Sequence, residues 1–275
     1  MPTAATSPRA APQPFGAHLR HWRQHRRLSQ QGLADEAEIS TRHLSFVETG
    51  RSLPSREMVL RLAERLQVPL RERNAMLVAA GYAPMYRERP LDDPALAPAR
   101  QAVELILRAH EPWPALAVDR HWHMLAANRM LPHLLGGADA ALLQPPVNVL
   151  RLSLHPQGLA PRIANLAQWR EHLFERLRQQ IHVTGDSTLA ALLDELQGYP
   201  VPAPADAVRL PGEHVGVALP LQLRAGDGTV LSFISTTTVF GTAVDVTVQE
   251  LTLETFFPAD TATAQALQRL APTGR

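Results

Sequence analysis

The stretch LSQQGLADEAEISTRHLSFVETGRSLPS, residues 28–55, encodes two short helices with a tight turn between them. Ser29 opens the first, where its hydroxyl can accept from the free backbone N–H groups of the following turn, and Leu33, Ala34 and Ala37 give that helix its buried side. Ile39 closes it. Ser40 caps the second, Thr41 to about Glu48, in which Leu44 and Val47 face inward and leave Thr41, Arg42, Ser45 and Phe46 together on the outer face. Gly50 ends it.

On the N-terminal side, Phe15, Leu19 and Trp22 stand at i, i+4 and i+7 and make one apolar face on a helix ending near Arg27. On the C-terminal side, Ser55 opens a helix through Met58, Leu62, Ala63 and Leu66, and Pro69 leads into another from Leu70 to Gly81. A tight helix pair whose second member presents polar side chains outward is the helix-turn-helix arrangement that sets one helix in the major groove of DNA. The residue types suit that use. Arg42 can bond a guanine bidentately and Phe46 can touch a thymine methyl, with Thr41 and Ser45 beside them as base readers. Ser29, Ser40 and His43, near helix N-termini, and Arg51 and Ser52, just past the recognition helix, fit phosphate contacts. The plainer alternative is a five-helix bundle whose polar residues face outward only because water is there.

Charge divides the chain the same way. Residues 1–90 hold 14 Arg and 8 acids, net +6, and residues 91–275 hold 13 Arg and 18 acids, net −5, which returns the overall +1. A basic N-terminal segment joined to a mildly acidic remainder implies that only the first approaches a polyanion. The absence of cysteine excludes disulfides, thiolate metal sites and cysteine nucleophiles. No apolar run approaches the roughly 18 residues of a membrane span, and MPTAATSPRAAPQP, residues 1–14, has no apolar core for a signal peptide, so a disordered tail and a cytoplasmic protein with no membrane partner are expected.

The helical domain is expected over 15–84. Pro84, Pro90, Pro94 and Pro98, with Asp92 and Asp93 between, mark a linker over 85–98. A second domain over 99–275 then begins with a helix near 99–109, and PALAVDRHWHMLAANRM gives two short apolar stretches around Asp119 and Arg120, a hairpin leading to a helix at Asn128. Helices are expected over 161–181, 187–197 and 262–270. Between the last two the period changes to two, over 215–223, 229–240 and 243–253, with Gly226, Gly228 and Gly241 at the reversals, as in a three-stranded antiparallel meander. In the last of these Val244, Val246 and Val248 alternate with polar residues before the parity shifts to Leu251 and Leu253, which predicts a bulge near Gln249.

The residues of 28–55, from Leu28, Ser29, Gln30, Leu33 and Ala34 through Ile39, Ser40, Leu44, Ser45, Val47, Glu48, Gly50 and Pro54, resemble the Xre and lambda-repressor class. Glu38 departs from it, standing where the class has a turn glycine. The resemblance implies that Gln30 grips a phosphate and that Arg23 and Glu48 form a structural ion pair. Residues 40–86, with HEPWPALAVDRHWHMLAANRM and VNVLRLSLHPQGLAPRIANLAQWREHLFERL, resemble the MmyB-like transcription regulators over nearly the whole chain. This implies a five-helix lambda-repressor-like DNA-binding bundle followed by an α+β PAS-like domain, an antiparallel sheet covered by helices, with a hydrophobic, fatty-acid-like effector.

A pocket of that kind is mostly apolar with a few fixed polar groups. Trp113, Trp122, Trp169 and Phe174 are candidate walls, and Asn128, Asn148, Arg151 and His155 candidate head-group partners, an arginine suiting a carboxylate. Each has a plainer reading as core tryptophan, capping asparagine or turn residue. His121 and His123 form an HxH and His18, His21 and His25 line one helical face; neither set has a carboxylate evident nearby, so both read as surface histidines, with no metal, cofactor or catalytic residue assigned. The function expected is that of an effector-controlled repressor binding a near-palindromic operator in double-stranded DNA as a homodimer. The alternative is a constitutive regulator whose second domain only dimerises or recruits a protein partner.

Overall fold

The computed structural model describes residues 13–200, 219–241 and 243–271. The tail expected over 1–14 therefore lies outside the described residues except for its last two, as do the first four residues of the strand expected over 215–223. The chain falls into two compact units. The first closes at Glu88 and includes Val244–Val246; the second holds the remainder.

The first unit contains α1 (Phe15–His25), α2 (Gln30–Glu36), α3 (Thr41–Glu48), α4 (Arg56–Arg65) and α5 (Leu70–Ala79). The serine hydroxyls start three of them as the sequence implied. Ser29 accepts from the Gly32 N–H, Ser40 from His43 and Ser55 from Met58, each satisfying one otherwise unpaired donor of a first turn. Phe15, Leu19 and Trp22 of α1 meet Leu33 and Ala34 of α2, Leu44 and Val47 of α3, and Leu62 and Leu66 in one core. Helices α1 and α3 approach so closely that a Cβ on Gly16 would lie 2.3 Å from the carbonyl oxygen of Glu48. Glycine is required there because a backbone carbonyl cannot swing aside as a side chain does.

The second unit contains α6 (Ala97–Ala109), the hairpin β1 (Ala115–Val118) and β2 (Met124–Ala127), α7 (Leu131–Leu134), α8 (Val149–Leu154), α9 (Leu166–Thr184), α10 (Ser187–Gln197), β3 (Leu221–Arg224), β4 (Val230–Val239), the single turn α11 (Val246–Gln249) from its second residue on, β5 (Thr252–Pro258) and α12 (Thr261–Leu270). The five strands form one antiparallel sheet in the order β2-β1-β5-β4-β3. The hairpin and the meander are thus joined by β1 pairing with β5. Strand β1 is buried at all four positions, because both its faces are covered and alternate side chains enter different cores. Ala115 and Ala117 pack with Leu253 against Val103 and Leu107 of α6. Leu116 and Val118 join Leu223, Leu231 and Phe233 against α8, α9 and α10. This is the antiparallel sheet covered by helices that the resemblance implied.

One strand is displaced from its expected place. Residues 246–249 form a helical turn with Val246 fully buried, and β5 runs from Thr252 to Pro258 with no bulge near Gln249. The valine alternation over 244–248 marked the approach to a turn. Likewise, the helix expected at Asn128 is the short α7, starting three residues later.

Candidate functional site

Helix α3 holds the expected base-reading residues on one side because Leu44 and Val47 anchor the other in the core. Arg42 is exposed, and its guanidinium lies 5.4 Å from the Phe46 ring centroid; Arg51 approaches the same ring at 6.0 Å. Two exposed guanidinium groups therefore stand against one aromatic ring on this face. Thr41 donates to the Gln31 side-chain oxygen at 2.6 Å, tying α3 to α2. Gln31, exposed beside Thr41, was missed by sequence reasoning although it follows Gln30 directly. Ser45 and His43 are half-buried on the same helix, and the Arg51 and Ser52 N–H groups both donate to the Phe46 carbonyl, which fixes the exit from α3. The hydroxyls of Ser29 and Ser40 accept as helix caps and keep their own protons available for a phosphate oxygen.

Behind this face the Glu48 side chain is fully buried and gathers three partners. Arg23 donates to it through Nε at 2.6 Å and Nη2 at 3.1 Å, Gln30 through Nε2 at 2.8 Å, and Arg20 stands at 3.6 Å. Burial pushes the Glu48 carboxyl up, but the bonds from Arg23 and Gln30 and the charges of Arg23 and Arg20 outweigh it and hold the group below the usual carboxylate range. The Gln30 amide is thus turned inward onto Glu48. The turn between α2 and α3 places Glu38 at φ +57°, the left-handed region where glycine is favoured.

In the second unit a cavity of about 90 Å³ lies between the sheet and the helices α7, α8 and α9. One water needs only ~10–15 Å³. Its walls are apolar, among them Leu116, Leu131, Leu150, Leu173, Leu223 and Phe256, with Trp122 and Trp169 from the expected set. The polar lining is Ser153, Arg176 and Glu254. Ser153 already accepts from Trp169 Nε1 at 3.1 Å. Arg176 of α9 bonds Glu254 of β5 at 2.6 Å, donates to the Thr237 hydroxyl at 2.9 Å and lies 5.0 Å from the Trp122 ring centroid. Nearby, burial and then the positive charge of Arg176 hold the His172 imidazole below its ordinary value, against the opposing pull of Glu254.

The other expected effector residues are occupied elsewhere. Arg151 forms a bidentate pair with Glu195 at 2.8 and 2.7 Å, and Glu195 also accepts from Tyr199, whose hydroxyl burial and Glu195 together push up to about 12. His155 accepts from the Gln157 N–H within its turn and meets Tyr199 edge-on. Asn148 caps α8, and buried Asn128 links the Leu107 and Trp113 carbonyls to the Ala115 and Met130 N–H groups. Trp113 and Phe174 pack in or against the core without lining the cavity. Sequence reasoning missed Arg176 and Glu254, which lie 78 residues apart and meet only through the fold.

The HxH pair also requires a correction. Asp119 folds back over the β1–β2 turn, accepting from the N–H groups of both His121 and His123 at 2.8 Å and from His123 Nδ1 at 3.0 Å. A carboxylate therefore stands beside both histidines, since a tight turn returns a residue two positions upstream to its neighbours.

A family model described as "MmyB-like transcription regulator ligand binding domain" matches residues 99–270. This chain belongs to the MmyB-like transcription regulators. A second model, "Helix-turn-helix domain", matches residues 14–76 of the regulator. No curated protein matches it. A solved structure titled "Structure of an RNA-binding Light-Oxygen-Voltage Receptor" is 12% identical over 92% of this chain, with a TM-score of 0.24, and the regulator spans 62% of that protein's length. A likeness at that level carries no argument. In this MmyB-like regulator α3 and the Glu48 cluster fall within the helix-turn-helix match, and the cavity within the ligand-binding match. The protein is a DNA-binding transcription regulator with a ligand-binding domain, and among its described residues no helix is long and apolar enough to cross a membrane.

Proposed function

We propose that this regulator is a repressor whose affinity for a near-palindromic operator, bound as a homodimer, is set by a hydrophobic small molecule of the fatty-acid kind held in the C-terminal cavity. The observation that carries the reading is the cavity itself, an apolar space with the Arg176–Glu254 pair in its wall; at about 90 Å³ it is below the ~300 Å³ of a pocket that encloses a drug-sized ligand, so uptake of a long chain has to widen it. Water there finds few partners, so the space favours an apolar chain. A carboxylate head reaching Arg176 would share its guanidinium with Glu254, which keeps its bond from the Thr237 hydroxyl. Arg176 replaces Arg151 as the head-group partner, because Arg151 is held by Glu195. On the DNA, Thr41, Arg42, Ser45 and Phe46 read base edges and Ser29, Ser40, His43, Arg51 and Ser52 meet phosphates, while Gln30 acts by holding Glu48. Effector occupancy changes the spacing or rigidity between the two DNA-binding heads, and shifts operator affinity by the difference in its affinity for the two states.

Solvent extraction of the natively purified protein, followed by mass spectrometry, tests the effector. A fatty acid or similar amphiphile near one per chain, absent from an Arg176→Ala variant, is the expected result. An empty extract, together with no shift in melting temperature on adding long-chain fatty acids, would favour the rival in which the second domain only dimerises or recruits a partner.

A further inference from the structure

We propose that Asp119, His121 and His123 form a binding site for a divalent first-row transition cation of the zinc class, on the turn between β1 and β2. One ligand atom from each residue lies within 4.8 Å of the other two. In a tetrahedral zinc site with bonds of ~2.0–2.1 Å neighbouring ligands stand about 3.3 Å apart, so the side chains need to close by about 1.5 Å at most. The His123 Nδ1 to Asp119 Oδ2 separation, 3.0 Å, is already of that size. Asp119 is fixed before any ion arrives, because one of its oxygens accepts two backbone N–H groups. A cation entering the trio takes the place of the proton between His123 Nδ1 and Asp119, and the imidazole keeps that proton by changing tautomer, with the N–H on Nε2.

His121 is also oriented from outside the trio. Its Nε2 lies 2.9 Å from a carboxylate oxygen of Asp186, whose other oxygen accepts from the Thr188 N–H. With Nε2 engaged by that carboxylate, Nδ1 is the nitrogen left for a metal; a carboxylate on the far nitrogen is the usual outer support of a ligating imidazole. The nearby Arg120 guanidinium is 3.7 Å from Asp186 and 3.7 Å from Glu250. Two imidazoles exclude a preference for calcium or magnesium. With side-chain exposures of 20% for His121, 28% for His123 and 34% for Asp119, an ion can enter from solvent.

The site adjoins the cavity. Trp122 lies between the two histidines at φ +68°, a conformation that a bulky residue rarely adopts, and its indole lines the cavity and donates to Gln180. A cation closing the trio therefore fixes the backbone that places Trp122.

Calorimetric titration of zinc chloride into the chelator-treated full-length protein is the test. The expected result is one ion per chain, at least tenfold weaker in His123→Gln and in His121→Gln, tenfold to a hundredfold weaker in Asp186→Asn, and unchanged in a His21→Gln/His25→Gln double variant. Both single histidine variants are chosen because neither side chain caps the turn, and their metal-free melting temperatures should match the wild type. Absence of one-to-one binding by the wild type, or equal binding by both single histidine variants, would overturn the assignment.

Discussion

Replacing Glu48 by Gln removes the carboxylate but leaves Arg23, with 11% of its side chain exposed, and Arg20 facing the same spot. Breaking a buried pair from one side leaves a charge without compensation, so Glu48→Gln should destabilise the N-terminal unit by about 3 kcal/mol in urea unfolding. The pH dependence follows from the depressed Glu48 carboxyl. Its stabilisation is complete above the unfolded carboxylate range and is lost as pH falls through the lower native value, so acid unfolding of the wild type should show a loss beginning below about pH 4.5 that Glu48→Gln lacks. Glu38, at φ +57°, argues the other way. A left-handed conformation costs a non-glycine residue about 1–2 kcal/mol and glycine's extra chain entropy returns part of that, so Glu38→Gly should stabilise by about 0.5–1 kcal/mol and raise the melting temperature by a few degrees. At this scale the Arg23–Glu48 pair was legible because the resemblance carried it. The inward turn of Gln30 was not, since an amide on a helix N-terminus suits a phosphate as well as a buried carboxylate.

At the scale of the element, the labour proposed for α3 divides along its length. Arg42 is exposed on its first turn and is proposed to read a base, and Arg51 is exposed past its end and is proposed to meet a phosphate. Arg42→Ala should weaken operator binding by about 1–3 kcal/mol and relax preference at one base pair, whereas Arg51→Ala should weaken all sequences alike and lower the slope of log K against log salt by about 1. Fluorescence anisotropy on matched and mismatched duplexes at several salt concentrations separates the two. Helix starts were legible here because Ser29, Ser40 and Ser55 each announce a cap by chemistry that acts within one turn. The last strand was misplaced because alternation over 244–248 is short, and Val246 is buried by tertiary packing that local periodicity does not report. Glu254 and Phe256, on the face of β5 toward the cavity, fall beyond the range 243–253 expected for that strand.

The whole molecule places a reader of DNA and an apolar cavity in two units of one chain. That division was legible from the charge split at residue 90, since net charge is a sum and needs no geometry. The cavity was not. Its lining is drawn from β1, β2, α7, α8, α9, β3 and β5, and which leucines leave space rather than fill it depends on how these elements meet. Leu173→Trp, which projects an indole into that space, should abolish retention of the extracted amphiphile while costing no more than about 1–3 kcal/mol of stability. The most direct test of effector control is an operator titration. A duplex selected from random DNA would be titrated with delipidated protein, with protein loaded with a long-chain fatty acid, and with Leu173→Trp. Effector control predicts that loading changes the wild-type Kd at least fivefold and leaves the Leu173→Trp value unmoved. A wild-type Kd that is the same loaded and delipidated would contradict it.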